Sequence, residues 1–243
     1  MTYGNRLRVT SVAAALVLVV AFGLAFFSAS IEADQGFSQK IFYVHVPLAI
    51  VALGGFVWGG VMAVPHLRTG QAHYDLRSYV AIHLAVVLGT GALITGAIWA
   101  KAAWGVWFEW REPTLVSFLI VFLLYCTYQP LRFSIEDPEK QARYASVFAI
   151  TAGAFVPLNF LAVRLADPYI HPRVLNQGGG DLPDSFRAPF YLALLGMTLL
   201  FATLYSYELS HKHARAQVRS LRRKLGGEEE AVGRSAAPQV TSP

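Results

Sequence analysis

Residues 9–31, 41–67, 78–100, 113–131, 144–163 and 188–207 contain no Asp, Glu, Lys or Arg. A helix needs roughly 18–20 apolar residues to cross the hydrocarbon of a bilayer, and each run reaches that length. Within lipid the backbone must satisfy its own hydrogen bonds, so each run predicts a transmembrane helix. With 55% hydrophobic and only 14% charged residues, the chain reads as an all-α integral membrane protein. The expected organisation is a six-transmembrane-helix bundle over residues 1–208, with spans at about 9–31, 41–64, 79–100, 114–131, 145–163 and 188–207. A basic juxtamembrane segment (209–225) and a disordered tail rich in Gly, Glu, Ala, Ser and Pro (226–243) follow.

Lys and Arg placement orients the bundle. With a cytoplasmic N-terminus that side carries Arg6, Arg8, Arg68, Arg77, Arg132, Lys140, Arg143 and seven tail cations, fourteen in all, against Lys40, Lys101, Arg111, Arg164, Arg173 and Arg187 opposite. The positive-inside rule therefore predicts both termini in the cytoplasm. Arg6 and Arg8 before an apolar run could pass for a secretory signal, but the run exceeds a signal's roughly 7–15-residue core, which predicts an uncleaved helix.

The composition also excludes functions. Cys126 is the only cysteine, so there is no intrachain disulfide and no cysteine cluster for zinc or iron–sulfur. The net charge of +5 is concentrated in residues 211–224, which suits membrane lipids with anionic headgroups, not nucleic acid. Spans almost free of acidic and basic residues argue against ion-coupled transport. No phosphate-binding loop occurs, so any energy from ATP would come from a partner.

Three unusual features fall on the predicted outer side. His45 lies about one turn into the second span, His171 lies between Pro168 and Pro172 in the last outer loop, and residues 104–110 form an aromatic run, Trp-Gly-Val-Trp-Phe-Glu-Trp, holding three of the five tryptophans. Each has a plain explanation. An isolated His near a helix end can be an interfacial residue, and an aromatic loop can anchor in headgroups. Wound as an α-helix, the run places Trp104, Trp107, Phe108, Trp110 and Arg111 within about 160°, which predicts a short amphipathic helix in the middle outer loop. Taken together, two histidines on separate elements and a shelf of rings suit a metalloporphyrin, with imidazole as axial ligand and indoles against the macrocycle. Propionates would require cations, for which Arg111, Arg164, Arg173, Arg187 and Lys101 are on the same side. His83 and His66, inside spans, are weaker ligand candidates.

Residues 95–110, TGAIWAKAAWGVWFEW, resemble the tryptophan-rich "WWD" region of the haem-handling membrane proteins. The six-span length, the segment KIFYVHVP at 40–47, IEDPE at 135–139, Val163-Arg164 and His171-Pro172 resemble the C subunits of the haem exporter in bacterial cytochrome c maturation (CcmC). The resemblance implies a protein of the bacterial inner membrane that holds haem (iron protoporphyrin IX) as transient cargo at the periplasmic face. It implies transfer to a periplasmic haem chaperone and association with ABC exporter subunits A and B and the small D component of the same complex. It matches His45 and His171 to the family's two outer histidines, implying iron ligation there, and Trp104, Gly105, Trp107 and Trp110 to its aromatic motif, where Phe108 still offers a flat ring; Arg111, Arg164 and Arg173 are expected at the haem from their placement on the same side. The chain departs from the family's W-G-x-W-W-x-W-D-x-R-L-T pattern. Phe108 stands for a tryptophan, Arg111 for the aspartate and Pro113 for the arginine, while Leu165 and Ala166 match a Trp-Trp pair near the second histidine. The aspartate's role then falls to Glu109, to Glu112, or to no residue.

The resulting expectation is a transfer subunit that makes and breaks no covalent bonds. Two alternatives are a membrane haem lyase or ligase component, and a structural permease subunit of an ABC-type exporter without its own haem. Six spans, no large periplasmic domain and no thiol relay speak against the lyase.

Overall fold

The structure, a computed structural model, describes residues 3–31, 35–171 and 182–236, with side chains from Gly4 to Leu225. Its regular elements are helices: α1 (Tyr3–Phe27), α2 (Phe42–Thr69), α3 (Ala72–Trp104), α4 (Pro113–Cys126), α5 (Tyr128–Phe133), α6 (Pro138–Leu165) and α7 (Asp184–Ala236). A 3₁₀ turn at Phe37–Ile41 leads into α2. Six helical segments are long and apolar enough to cross a membrane, α4 and α5 together making the fourth. The chain is a multi-pass, all-α membrane protein.

The helix boundaries follow local chemistry. Gly70 and Gly105 end α2 and α3 in the left-handed conformation, at φ 69° and 77°, where their N–H groups return to His66 and Lys101 carbonyls. Glu112 caps α4 and Asp137 caps α6, each followed by proline at the first helical position. Pro130 has no N–H to offer a carbonyl four residues back, and the helix breaks at Thr127 into α4 and α5. The α7 backbone stays helical to Ala236, past Gly226 where the composition suggests lost order; Glu228, Glu229, Glu230 and Ala231 are sound helix formers. The rest of the expected tail, 237–243, lies outside the described residues.

α2 is the central helix, packing along α3 and α6 and touching α7, while α1 pairs with α7. Small residues make the close approach possible. A methyl group added at Gly60 would lie 2.8 Å from the Ala149 carbonyl oxygen, so α2 and α6 nearly meet backbone to backbone, as small-residue interfaces permit in membranes. Phe56 and Tyr125 stack beside this contact with centroids 3.9 Å apart, in a core shared by α2, α3, α4, α5 and α6. Near the start of α3, Arg132 donates two hydrogen bonds to Asp75, at 2.7 and 2.6 Å, with both side chains close to fully buried. A third Arg132 bond reaches the Tyr128 hydroxyl. At the other end of α3, residues 105–112 join it to α4, and the candidate site lies there.

Candidate functional site

A cavity opens at this end between α2, α3, α4 and α6. His45 and His171 both line it, with Trp99, Trp104, Trp107 and Phe108. Its deeper walls are aliphatic and phenyl groups such as Leu53, Phe118 and Val121. This is an apolar chamber with few polar groups, the usual character of a site for a large flat ligand.

His45 is held from α3. Its Nδ1 lies 2.9 Å from the Ala92 carbonyl oxygen, which can only accept, so Nδ1 carries the proton and Nε2 keeps its lone pair. Metal-binding histidines are commonly fixed in this way, the second ring nitrogen donating to a carbonyl. Gly96 makes the pose possible, because a Cβ there would sit 2.7 Å from His45 Cε1. Thr95 Oγ1 lies 3.3 Å from the same Nδ1.

His171 is held by rings and by its backbone. Its imidazole meets Trp99 and Trp104 edge to face, at 6.0 and 6.1 Å between centroids, and these two indoles pack against each other at 4.7 Å. Trp99 donates its indole N–H to Gln35. The backbone N–H groups of Tyr169, Ile170 and His171 all donate to Oε2 of Glu112, each at 3.0 Å, while Oε1 accepts from the N–H of Thr114. Glu112 is completely buried. Burial works to raise its pKa, but the N–H donors of His171, Ile170 and Thr114 prevail and hold it at about 2.

A pH dependence of definite sign results. Because the folded pKa lies below the ordinary 4.5, Glu112 contributes stability that is complete above 4.5 and is lost as pH falls towards about 2. The gap in thermal midpoint between the parent and Glu112→Gln is expected to hold steady from about pH 7 to about pH 4.5 and to narrow below that. A gap that persists unchanged to the acid end would contradict the ionised clamp.

The short helix expected over the aromatic run does not form. Gly105 ends α3, residues 105–112 are turns and bends, and the β conformation of Glu112 (φ −86°, ψ 111°) ahead of Pro113 keeps helix from resuming until α4. The rings divide accordingly. Trp104, Trp107 and Phe108 line the cavity, whereas Trp110 packs on Phe108 at 4.7 Å and is 71% exposed. Among the described residues, Gly105, Trp110 and Arg111 do not line the cavity. Arg111 pairs with Glu109 at 3.0 Å and lies 4.4 Å over the Tyr169 ring. Arg111 is exposed and Glu109 largely covered, and the contact lowers the pKa of Glu109 and raises that of Arg111.

Of the other cations, Arg164 lines the cavity with its guanidinium over Phe160. Lys101 donates to the Gly105 carbonyl and Arg187 pairs with Asp184. Arg173 lies outside the described residues. Leu165, at one of the family's tryptophan positions, is 90% exposed. His66 bonds Ser146 and His83 accepts from Gln129, so both have protein partners away from the cavity. In the sequence Gly96 and Trp99 belong to the stretch that resembles the tryptophan-rich region but carry no role of their own, and Glu112 stands as one of two acidic stand-ins for the family aspartate; nothing there marks their contacts with the two histidines.

Comparison with known proteins adds an independent line. The family model described as heme exporter protein C matches residues 2–224. The chain belongs to the heme exporter protein C family. The protein of that name from Bradyrhizobium diazoefficiens is 34% identical over 217 residues, covering 86% of this chain and 80% of the relative. That from Paracoccus denitrificans is 33% identical, over 70% of this chain and 71% of its own length. The Escherichia coli K12 protein is 28% identical, over 80% of this chain and 78% of its own. The match to the heme exporter protein C model spans every helix around the cavity and extends into the basic part of α7.

Proposed function

We propose that the chain binds haem in the cavity between His45 and His171, at the periplasmic face of the bacterial inner membrane, and passes it to a periplasmic haem chaperone for cytochrome c biogenesis. The observation that carries this reading is the pairing of two histidines from distant segments on one aromatic-walled cavity, with His45 fixed in the tautomer that leaves Nε2 able to bind iron. Membership of the family supports haem as the cargo. The charge distribution supports cytoplasmic termini and a cavity open to the opposite side.

In this reading the residues divide the work. His45 and His171 supply axial imidazoles, and Trp99, Trp104, Trp107 and Phe108 offer flat apolar faces that exclude water. Arg164, on the cavity wall, and Arg173 are the cations for the propionates. Transfer needs no covalent chemistry. A partner that binds the haem-released state more tightly shifts the equilibrium towards release, and an imidazole supplied by that partner can replace one histidine. The partners proposed are the chaperone, ABC exporter subunits A and B, and the small D component.

Titration of the detergent-purified protein with ferric haem tests the binding step. Saturable uptake at about one haem per chain, with a sharp Soret band, is expected for a six-coordinate site. Uptake that grows linearly, like partition into empty detergent micelles, would remove the proposal.

A further inference from the structure

We infer that Glu112 is the positioning residue for His171, fixing the height and direction of the imidazole by gripping the backbone that carries it. The inference rests on the haem-site reading above. It deepens that reading by assigning a role to a residue that does not itself line the cavity.

The geometry is specific. One carboxylate oxygen receives three consecutive backbone N–H groups, from Tyr169, Ile170 and His171, and the other receives Thr114 at the start of α4. Residues 166–171 are non-helical, and Tyr169 and Ile170 have exposed side chains, so packing alone holds this segment weakly. A fully buried carboxylate accepting four N–H bonds is a strong local anchor, because leaving any donor unpaired there costs the desolvation of that group. Glu112 joins α4, which forms one wall of the cavity, to the loop that carries His171 on another side. The ring itself is steered by Trp99 and Trp104, but these are edge contacts that turn an imidazole without setting its backbone.

The neighbouring acidic residue does different work. Glu109 is occupied by Arg111, whose exposed guanidinium covers the ring of Tyr169 beside the clamped segment. Of the two carboxylates flanking Arg111, Glu112 alone reaches the His171 segment among the described residues.

Two variants separate a clamp from a general loss of fold. Glu112→Gln keeps the shape and removes the charge. Glu112→Asp keeps both charge and the capping chemistry for α4, since aspartate is a preferred N-cap, but shortens the reach by one methylene. For both, amide hydrogen exchange of Tyr169, Ile170 and His171 is measured in haem-free protein, and the haem spectrum is compared with that of His171→Ala. Faster exchange at these three amides is expected, with unchanged protection in α2 and α3. Haem affinity is expected to fall by about 10–100-fold, as for loss of other supports of a metal ligand. The spectrum should move towards that of His171→Ala and return to low-spin with added imidazole. Unchanged exchange in both variants would overturn the clamp. Faster exchange with a parental haem spectrum and affinity would overturn the positioning role. If His171→Ala itself left the parental spectrum intact, the haem-site reading would fail and the role of Glu112 with it, while the exchange data would still identify the anchor.

Discussion

Gly96→Ala is expected to weaken haem binding by about 10–100-fold while leaving the fold as stable as before or more so. The added methyl carbon would lie 2.7 Å from Cε1 and 3.1 Å from Nδ1 of His45, well inside contact distance. The obstructed group is the far end of a side chain, so the imidazole swings away and the helices stay where they are. In moving it gives up the Nδ1 bond to Ala92 that fixes the tautomer. In the middle of a helix alanine is favoured over glycine by up to about 1 kcal/mol, which opposes any loss from crowding. The two readouts therefore part company: the Soret titration weakens and the thermal midpoint holds or rises. Parental haem affinity in this variant would mean that His45 does not need its α3 contact to bind iron.

Arg132→Ala should do the opposite. It leaves the Asp75 carboxylate, 13% exposed, without either of its guanidinium bonds at 2.7 and 2.6 Å. Removing one partner of a buried pair costs about 3–5 kcal/mol, because the other charge stays desolvated. Tyr79 and Tyr128 lose a cation contact and a hydrogen bond as well. Asp75 and Gly96 are separated by about 30 Å along α3, at 1.5 Å per residue, so the surviving folded protein should bind haem normally. Thermal unfolding in detergent measures the loss. A second substitution, Asp75→Asn, should recover part of it, since a neutral amide is cheaper to bury than a lone carboxylate. An unchanged midpoint in Arg132→Ala would mean that water reaches Asp75 freely.

The sequence makes some of this arrangement legible and hides the rest, for physical reasons. Six uncharged runs announce six helices because lipid forbids unpaired backbone and charge over that length. His45 and His171 stand out because polar rings are conspicuous near apolar spans. The fourth run reads as one unbroken span, and the break into α4 and α5 that Pro130 imposes is not anticipated. The aromatic run misleads because its spacing fits a helical arc, yet one glycine in the left-handed region at 105 stops α3 and the bonded turn of Glu112 starts α4. Periodicity describes which face a helix would have, not whether the helix exists. Glu112 is legible only as one of two stand-ins for the family aspartate, and its bonds to a segment 57 to 59 residues away depend on how α4 and α6 pack. Gly96 is invisible for the same reason: the need for a missing side chain belongs to its neighbour, His45. The pairing of Asp75 with Arg132 likewise joins positions 57 residues apart that no local pattern connects.

Joint ligation of iron by His45 and His171 is tested by the absorption spectrum of the haem-loaded protein beside His45→Gly, His171→Gly and the double variant, each with and without added imidazole. Bis-imidazole ligation requires a low-spin parent, single variants that turn high-spin and recover a low-spin band with imidazole, and a double variant that recovers only at higher imidazole. A low-spin spectrum that neither single substitution changes would contradict it.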